Sequence, residues 1–241
     1  MQRARLTSLV FLLGAAAACG IGASAVRAAG TTVTIPGDSY LPPAVTIDVG
    51  QTVTWVNKDT DPHVTTTVPD APASLTLVHP AGKSASYTFS KAGIYPYYCL
   101  DHATFNTTLR RVAARKEADL FPIAMEGLVV VKGPGLTGRP TAAVKISGGA
   151  YAPFIAVVRA GGRVTWTNDD HAAHTAVFAG RGMPRLSLAA GKSASATFAT
   201  PGVYLFYDER FATYDAKIGL AGAKKGAPHF PIAMQGFVVV L

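Results

Sequence analysis

The chain has 241 residues, 49% of them hydrophobic and 15% charged, with 24 Gly, 16 Pro and two Cys. That composition excludes disorder, a collagen-like repeat and a disulfide scaffold, and the length allows one large or two small domains, each able to bury a core. The formal charge of +8 is uneven: residues 138–241 hold eleven Lys/Arg against five Asp/Glu, while residues 29–137 hold eight against nine, a basic second half that suits an anionic partner or simple solubility.

Residues 1–29 read as a secretory signal peptide: Arg3 and Arg5, an apolar run from Leu6 through Ala18, then small residues up to Ala28 and Ala29, where cleavage is expected. The run is shorter than the ~20 residues a membrane-spanning helix needs, and no later stretch is long and apolar enough. Cys19 after Ala16-Ala17-Ala18 faintly resembles a lipoprotein cleavage site, which is the alternative to a freely soluble periplasmic protein. Once the signal is removed Cys99 stands alone. A lone thiol in an oxidising compartment cannot form an internal disulfide and needs a holder, for which a metal is the obvious candidate.

The chain repeats itself. Thr54-Trp-Val-Asn recurs as Thr165-Trp-Thr-Asn at an offset of 111, and Ala81-Gly-Lys-Ser-Ala-Ser and Phe121-Pro-Ile-Ala-Met recur at an offset of 109. A period near 110 is a whole domain, so the pattern predicts a tandem duplication rather than a solenoid. Copy one, residues 30–133, shows short β-branched or alternating runs at 32–35, 44–47, 52–56, 84–89, 94–98 and 127–131. A Gly/Pro-rich linker at 134–140 follows, and copy two, residues 141–241, has similar runs at 143–146, 155–158, 163–167, 193–198, 203–207 and 236–240. Short strands at this spacing predict two tandem Greek-key β-sandwiches, all-β. Residues 107–119 contain good helix formers and neither Gly nor Pro, which predicts a short inserted helix; the equivalent 215–228 contains three Gly and predicts a loop.

The candidate site gathers around Cys99, which ends the aromatic run Tyr95-Pro-Tyr-Tyr and is followed by Leu100, Asp101 and His102. A Cys and a His three residues apart on a turn can face one ion. His63 lies upstream after Asp61-Pro62, and Met125 opens the last strand of the copy. Thiolate, imidazoles and a thioether form a soft donor set suited to copper, whereas a closed structural zinc site would more often take four Cys/His ligands. Nothing in the sequence points to nucleic acid. His79 and His229 are expected at the surface or behind the ligands.

Asp61-Pro62-His63, the run from Gly93 to His102 and the segment from Met125 to Val131 together resemble the cupredoxins, blue copper proteins of the amicyanin, pseudoazurin and plastocyanin group. The resemblance implies one type 1 copper per chain bound by His63, Cys99 and His102, with Met125 as weak axial ligand, and periplasmic electron transfer with a c-type cytochrome or periplasmic oxidoreductase as partner. Copper storage or delivery is the alternative. Two departures stand out: 22 residues separate His102 from Met125, where the family has a few, and Val64 follows His63, where relatives often have Asn. His102 is the expected electron port, and the inserted helix, with Arg110, Arg111, Arg115 and Lys116, is expected to dock an acidic partner beside it.

Copy two lacks the chemistry. His174 matches His63 and Met234 matches Met125, but Asp208 replaces Cys99 and Phe211 replaces His102. The alternative there is a harder metal site from His171, His174, Asp208 and Glu209. A copper enzyme would need further His ligands, usually as His-x-His pairs. The chain has six His and no such pair, so an electron carrier rather than an enzyme is expected.

Overall fold

The computed structural model describes residues 30–180 and 182–241; the expected signal segment, with Cys19, lies outside them. The described chain is all strand, turn and loop, with no helix among the described residues and therefore none that could cross a membrane.

The first half holds β1 (Thr31–Ile35), β2 (Ala44–Asp48), β3 (Thr52–Asn57), β4 (His63–Thr67), β5 (Thr76–His79), β6 (Ser84–Thr88), β7 (Gly93–Cys99), β8 (Ala103–Asn106), β9 (Arg111–Ala114) and β10 (Glu126–Lys132). Two sheets, β1-β3-β6 and β2-β10-β7-β4-β5, form a sandwich. Alternation explains their faces: along β3 every second residue, Val53, Trp55 and Asn57, turns inward. Trp55 meets Val33, Tyr95, Tyr97, Val129 and Val131 in one core, which also contains Cys99 and Met125.

The second half holds β11 (Arg139–Ser147), β12 (Ala150–Ala152), β13 (Ile155–Asn168), β14 (His174–Phe178), β15 (Leu186–Leu188), β16 (Ser193–Phe198), β17 (Gly202–Tyr207), β18 (Ala212–Asp215), β19 (Leu220–Ala223) and β20 (Gln235–Val240). Here the two strands expected at 155–158 and 163–167 are one. Its start pairs with β20 and its end with β11 and β16, so a single strand links these into one eight-stranded sheet, and Gly161 takes φ +75° between those segments. The expected linker is also shorter, because Arg139 and Pro140 already belong to β11.

The inserted helix expected at 107–119 does not exist. Residues 103–114 form a hairpin, β8 against β9, with Ala103 opposite Ala114 and Asn106 opposite Arg111. Asn106 Oδ1 accepts the N–H of Leu109, and Arg110 sits at φ 55° in the turn. The equivalent segment is a second hairpin in the same register, Ala212 opposite Ala223, and not the loop expected there. Helix propensities amount to tenths of a kcal/mol per residue. Cross-strand pairing and the packing of Tyr98 on Phe105 and of Val112 beneath them override that.

β10 and β20 are buried on both faces. Val129 and Val131 fill the first core and Val238 and Val240 the second, while Leu128, Val130, Phe237 and Val239 meet back to back between the halves. Phe121 packs edge-on against Phe230, and Gln235 Nε2 donates to Glu126 Oε1 at 2.6 Å; both pairs join a residue to its own repeat equivalent, 109 positions on. Gly127 is required beside this pair, since a Cβ there would lie 2.4 Å from the Tyr97 ring.

Candidate metal centre

Three strand ends converge on the site. His63 begins β4 and Cys99 ends the neighbouring β7, in antiparallel register with Thr65 opposite Cys99. His102 follows on the turn. His63 Nδ1 lies 3.2 Å from His102 Nδ1 and 3.8 Å from Cys99 Sγ, and Cys99 Sγ lies 3.5 Å from His102 Nδ1. Metal–ligand bonds of ~2.0–2.3 Å leave donor atoms roughly 3–4 Å apart, so a single ion fits among these three. His63 and Cys99 are fully buried, while the His102 side chain keeps 18% exposure.

Hydrogen bonds from neighbouring loops hold these three side chains in place. Asn57 donates to the carbonyls of Asp61 and His79 and accepts the N–H of Asp59, which knots the loop that delivers His63. Asp59 Oδ2 accepts from His63 Nε2 at 3.0 Å. Burial works against the Asp59 charge, but that hydrogen bond and the nearby backbone N–H groups outweigh it and hold the carboxyl below its ordinary value. Burial pushes the Cys99 thiol up, while backbone N–H groups of Val64, Asp101 and His102 pull it the other way. A metal that draws off this proton therefore displaces it from a site whose sulfur already faces backbone donors.

The bracing that an Asn after His63 would supply comes from elsewhere. Leu100 N–H donates to Val64 O at 2.8 Å, Arg115 N–H donates to His102 O at 3.0 Å, and Arg115 Nε reaches the carbonyls of Leu100 and Ala103. The hairpin insertion thus props the ligand turn. It does not carry Met125 away: Cys99 N–H donates to Met125 O at 3.0 Å, and the Met125 side chain is buried in the same core as Cys99.

His79 is buried behind the ligands. Its Nε2 meets Thr65 Oγ1 at 2.9 Å, which also bonds the Tyr40 hydroxyl, and burial together with His63 pulls its pKa down to about 4. His229 instead meets Gly148 O near the surface. Of the residues expected at a docking face, Arg111 is instead buried between the halves, over the Phe154 ring and bonded to Tyr151 O, while Arg110 is exposed and pairs with Asp70. Asp38, which the sequence did not single out, stands 3.3 Å from His102 Nε2.

The same place in the second half is closed by a hydrogen-bonded His–Asp pair. His174 Nδ1 meets Asp208 Oδ2 at 2.7 Å, Asp208 Oδ1 accepts from Thr175 Oγ1 and Arg210 N–H, and Phe211 packs against the imidazole. His171 is exposed and Glu209 pairs with Arg185. The four residues of the alternative metal site are not gathered around one point, and among the described residues the His/Cys/carboxylate groupings that could hold an ion all lie in the first half.

Residues 31–109 match the family of copper-binding proteins of the plastocyanin/azurin type. That segment is similar to the cupredoxins. It is similar to amicyanin of Paracoccus denitrificans, 36% identical over 66 residues, which cover 26% of this chain and about half the length of that relative. Among solved structures it resembles amicyanin from Paracoccus versutus, 28% identical with a TM-score of 0.33, covering 45% of this chain and 86% of that one. A reduced amicyanin mutant, also 28% identical, has a TM-score of 0.32 and covers 43% and 82%. The matched family is one of copper-binding proteins, and the soft donor set of Cys99, His63 and His102 suits copper.

Proposed function

We propose that the chain is a one-electron carrier with a single type 1 copper, held by His63, Cys99 and His102 with Met125 as weak axial donor. The observation that carries this reading is the convergence of one thiol and two imidazole Nδ1 atoms within 3.8 Å on a rigid strand pair. Copper bound there would shuttle between Cu(I) and Cu(II). The protein's contribution is to hold one geometry for both states: the Asn57 knot, the Leu100–Val64 bond and the Arg115 contacts restrain all three ligand segments. His102 is the ligand with access to solvent, which suits it as the point of electron entry and exit.

We further propose that the two halves are a duplicated domain, that residues 1–29 direct export to the periplasm, and that the partner is a c-type cytochrome or periplasmic oxidoreductase. Six His without a His-x-His pair, and Leu100 rather than His beside Cys99, favour a carrier over an enzyme with a second copper centre. Copper loading followed by visible spectroscopy and voltammetry tests the reading. An intense thiolate-to-copper band with a fast, reversible one-electron couple is expected. Rapid loss of Cu(I) to a chelator, with no reversible couple, would move the assignment to copper storage or delivery.

A further inference from the structure

We propose that Asp38 is the positioning residue for His102, holding its imidazole from the Nε2 side so that Nδ1 is presented to the metal. The inference rests on the copper assignment above. Asp38 lies on the loop between β1 and β2, 64 positions from His102, yet its Oδ1 stands 3.3 Å from His102 Nε2, and its side chain is 7% exposed. Its other oxygen, Oδ2, accepts the backbone N–H of Asp119 at 2.6 Å. The carboxylate is therefore fixed by the chain that returns from the hairpin insertion, on the side of His102 away from Cys99. Asp59 is its acidic neighbour, and both carboxylates lie within 4.8 Å of one ring nitrogen of His63.

The second half provides an internal control. In the repeat alignment Asp38 corresponds to Gly149, Asp119 to Pro228 and His102 to Phe211. All three members of the contact are lost together. Gly149 has no side chain to offer, Pro228 has no N–H to fix one, and a Cβ on Gly149 would lie 2.8 Å from Pro228 Cγ, so the proline ring crowds the space that a side chain there would enter. Three of the other braces recur without the thiol and the second imidazole, while the Leu100–Val64 bond is replaced by Glu209 N–H on Thr175 Oγ1. Asp59 on His63 recurs as Asp170 on His174, Arg115 N–H on His102 O recurs as Lys224 N–H on Phe211 O, and the Asn57 knot recurs at Asn168. Braces present in both halves serve the fold. The Asp38 contact is present only where an imidazole must be aimed.

A carboxylate behind a metal-bound imidazole fixes the ring and raises its basicity. Its negative charge also favours the more highly charged oxidation state, so Asp38 lowers the reduction potential. The test uses the full chain with Asp38→Ala and Asp38→Asn, each compared with wild type for folding by circular dichroism. In metal-free protein, imidazole NMR signals of His102 should broaden or average in Asp38→Ala and stay close to wild type in Asp38→Asn. With copper, Asp38→Ala should lose about 10–100-fold in Cu(II) affinity, and both variants should show a raised potential. Unchanged His102 signals in folded Asp38→Ala, or Cu(II) affinity and potential equal to wild type, would overturn the proposal. If Asp38→Ala does not fold, the potential of Asp38→Asn decides: a rise supports the role and no change refutes it. Failure of wild type to bind copper would defeat the functional reading alone, since the metal-free NMR comparison still decides what Asp38 does to His102.

Discussion

Cys99 and Asp208 stand at matching positions of the two sequence repeats, 109 residues apart. Each donates its backbone N–H to the carbonyl of a Met at 3.0 Å, Met125 in one case and Met234 in the other. Each faces a buried His whose far nitrogen meets an Asp four residues earlier. In the first half three donor atoms face one another within 3.8 Å; in the second a carboxylate reaches 2.7 Å to the imidazole and closes the place with a hydrogen bond. The difference shows how little separates a metal site from a structural polar cluster on one scaffold. The strand register and loop knots are shared, and the chemistry is decided by a few side chains set into it.

The largest effect expected is on Cys99. Cys99→Ser should abolish the thiolate-to-copper band outright, because a hydroxyl cannot replace the soft anionic sulfur, and the visible spectrum checks it. The equivalent change in the second half should act on stability instead. Asp208→Ala leaves His174 and Thr175 without their buried hydrogen-bond partner and should cost about 1–3 kcal/mol in denaturant unfolding, with copper content unchanged. A drop in copper content in folded Asp208→Ala would mean that the second half takes part in binding.

A third prediction concerns the seam between the halves. Burial raises the Glu126 carboxyl from 4.5 to about 7, against the pull of Arg111 and the Gln235 hydrogen bond. The folded state thus holds this proton more tightly than the unfolded chain does. The resulting stabilisation is full below pH 4.5 and is lost as pH rises through about 7, a change on the order of 3 kcal/mol. Glu126→Gln should flatten that part of the pH profile and make the protein more stable than wild type at pH 8. Identical profiles for both proteins would contradict it. The smallest effect separates the two methionines. Met125→Leu should retain copper and raise the reduction potential by removing a weak donor, whereas Met234→Leu should leave the potential unchanged and cost less than about 1.5 kcal/mol.

Much of this comparison was legible in the sequence. The lone Cys99, His102 three positions on, and His63 after a strand marked the donors, and the repeat paired each with its replacement. Leu128-Val-Val-Val and Phe237-Val-Val-Val, apolar without alternation, also carried the sign of strands buried on both faces, between a core and a seam. The hairpin at 103–114 was misread because Arg, Ala, Lys and Glu favour a helix locally. The repeat held the contrary signal, since the equivalent stretch includes Gly219, Gly222 and Gly226 and one fold has to suit both copies. Arg111 reads as a surface charge because its position at the seam depends on the partner half, which no local pattern reveals. Asp38 was invisible for a related reason: its contact with His102 closes across 64 residues, and only the joint change to Gly149, Pro228 and Phe211 marks it.

The central claim is that only the first half binds copper. Titration of metal-free wild type and Cys99→Ser with copper, followed by metal analysis after exchange into chelator-containing buffer, tests it most directly. One tightly held equivalent per chain in wild type and none in Cys99→Ser is the expected result. Two equivalents in wild type, or one that survives in Cys99→Ser, would contradict it.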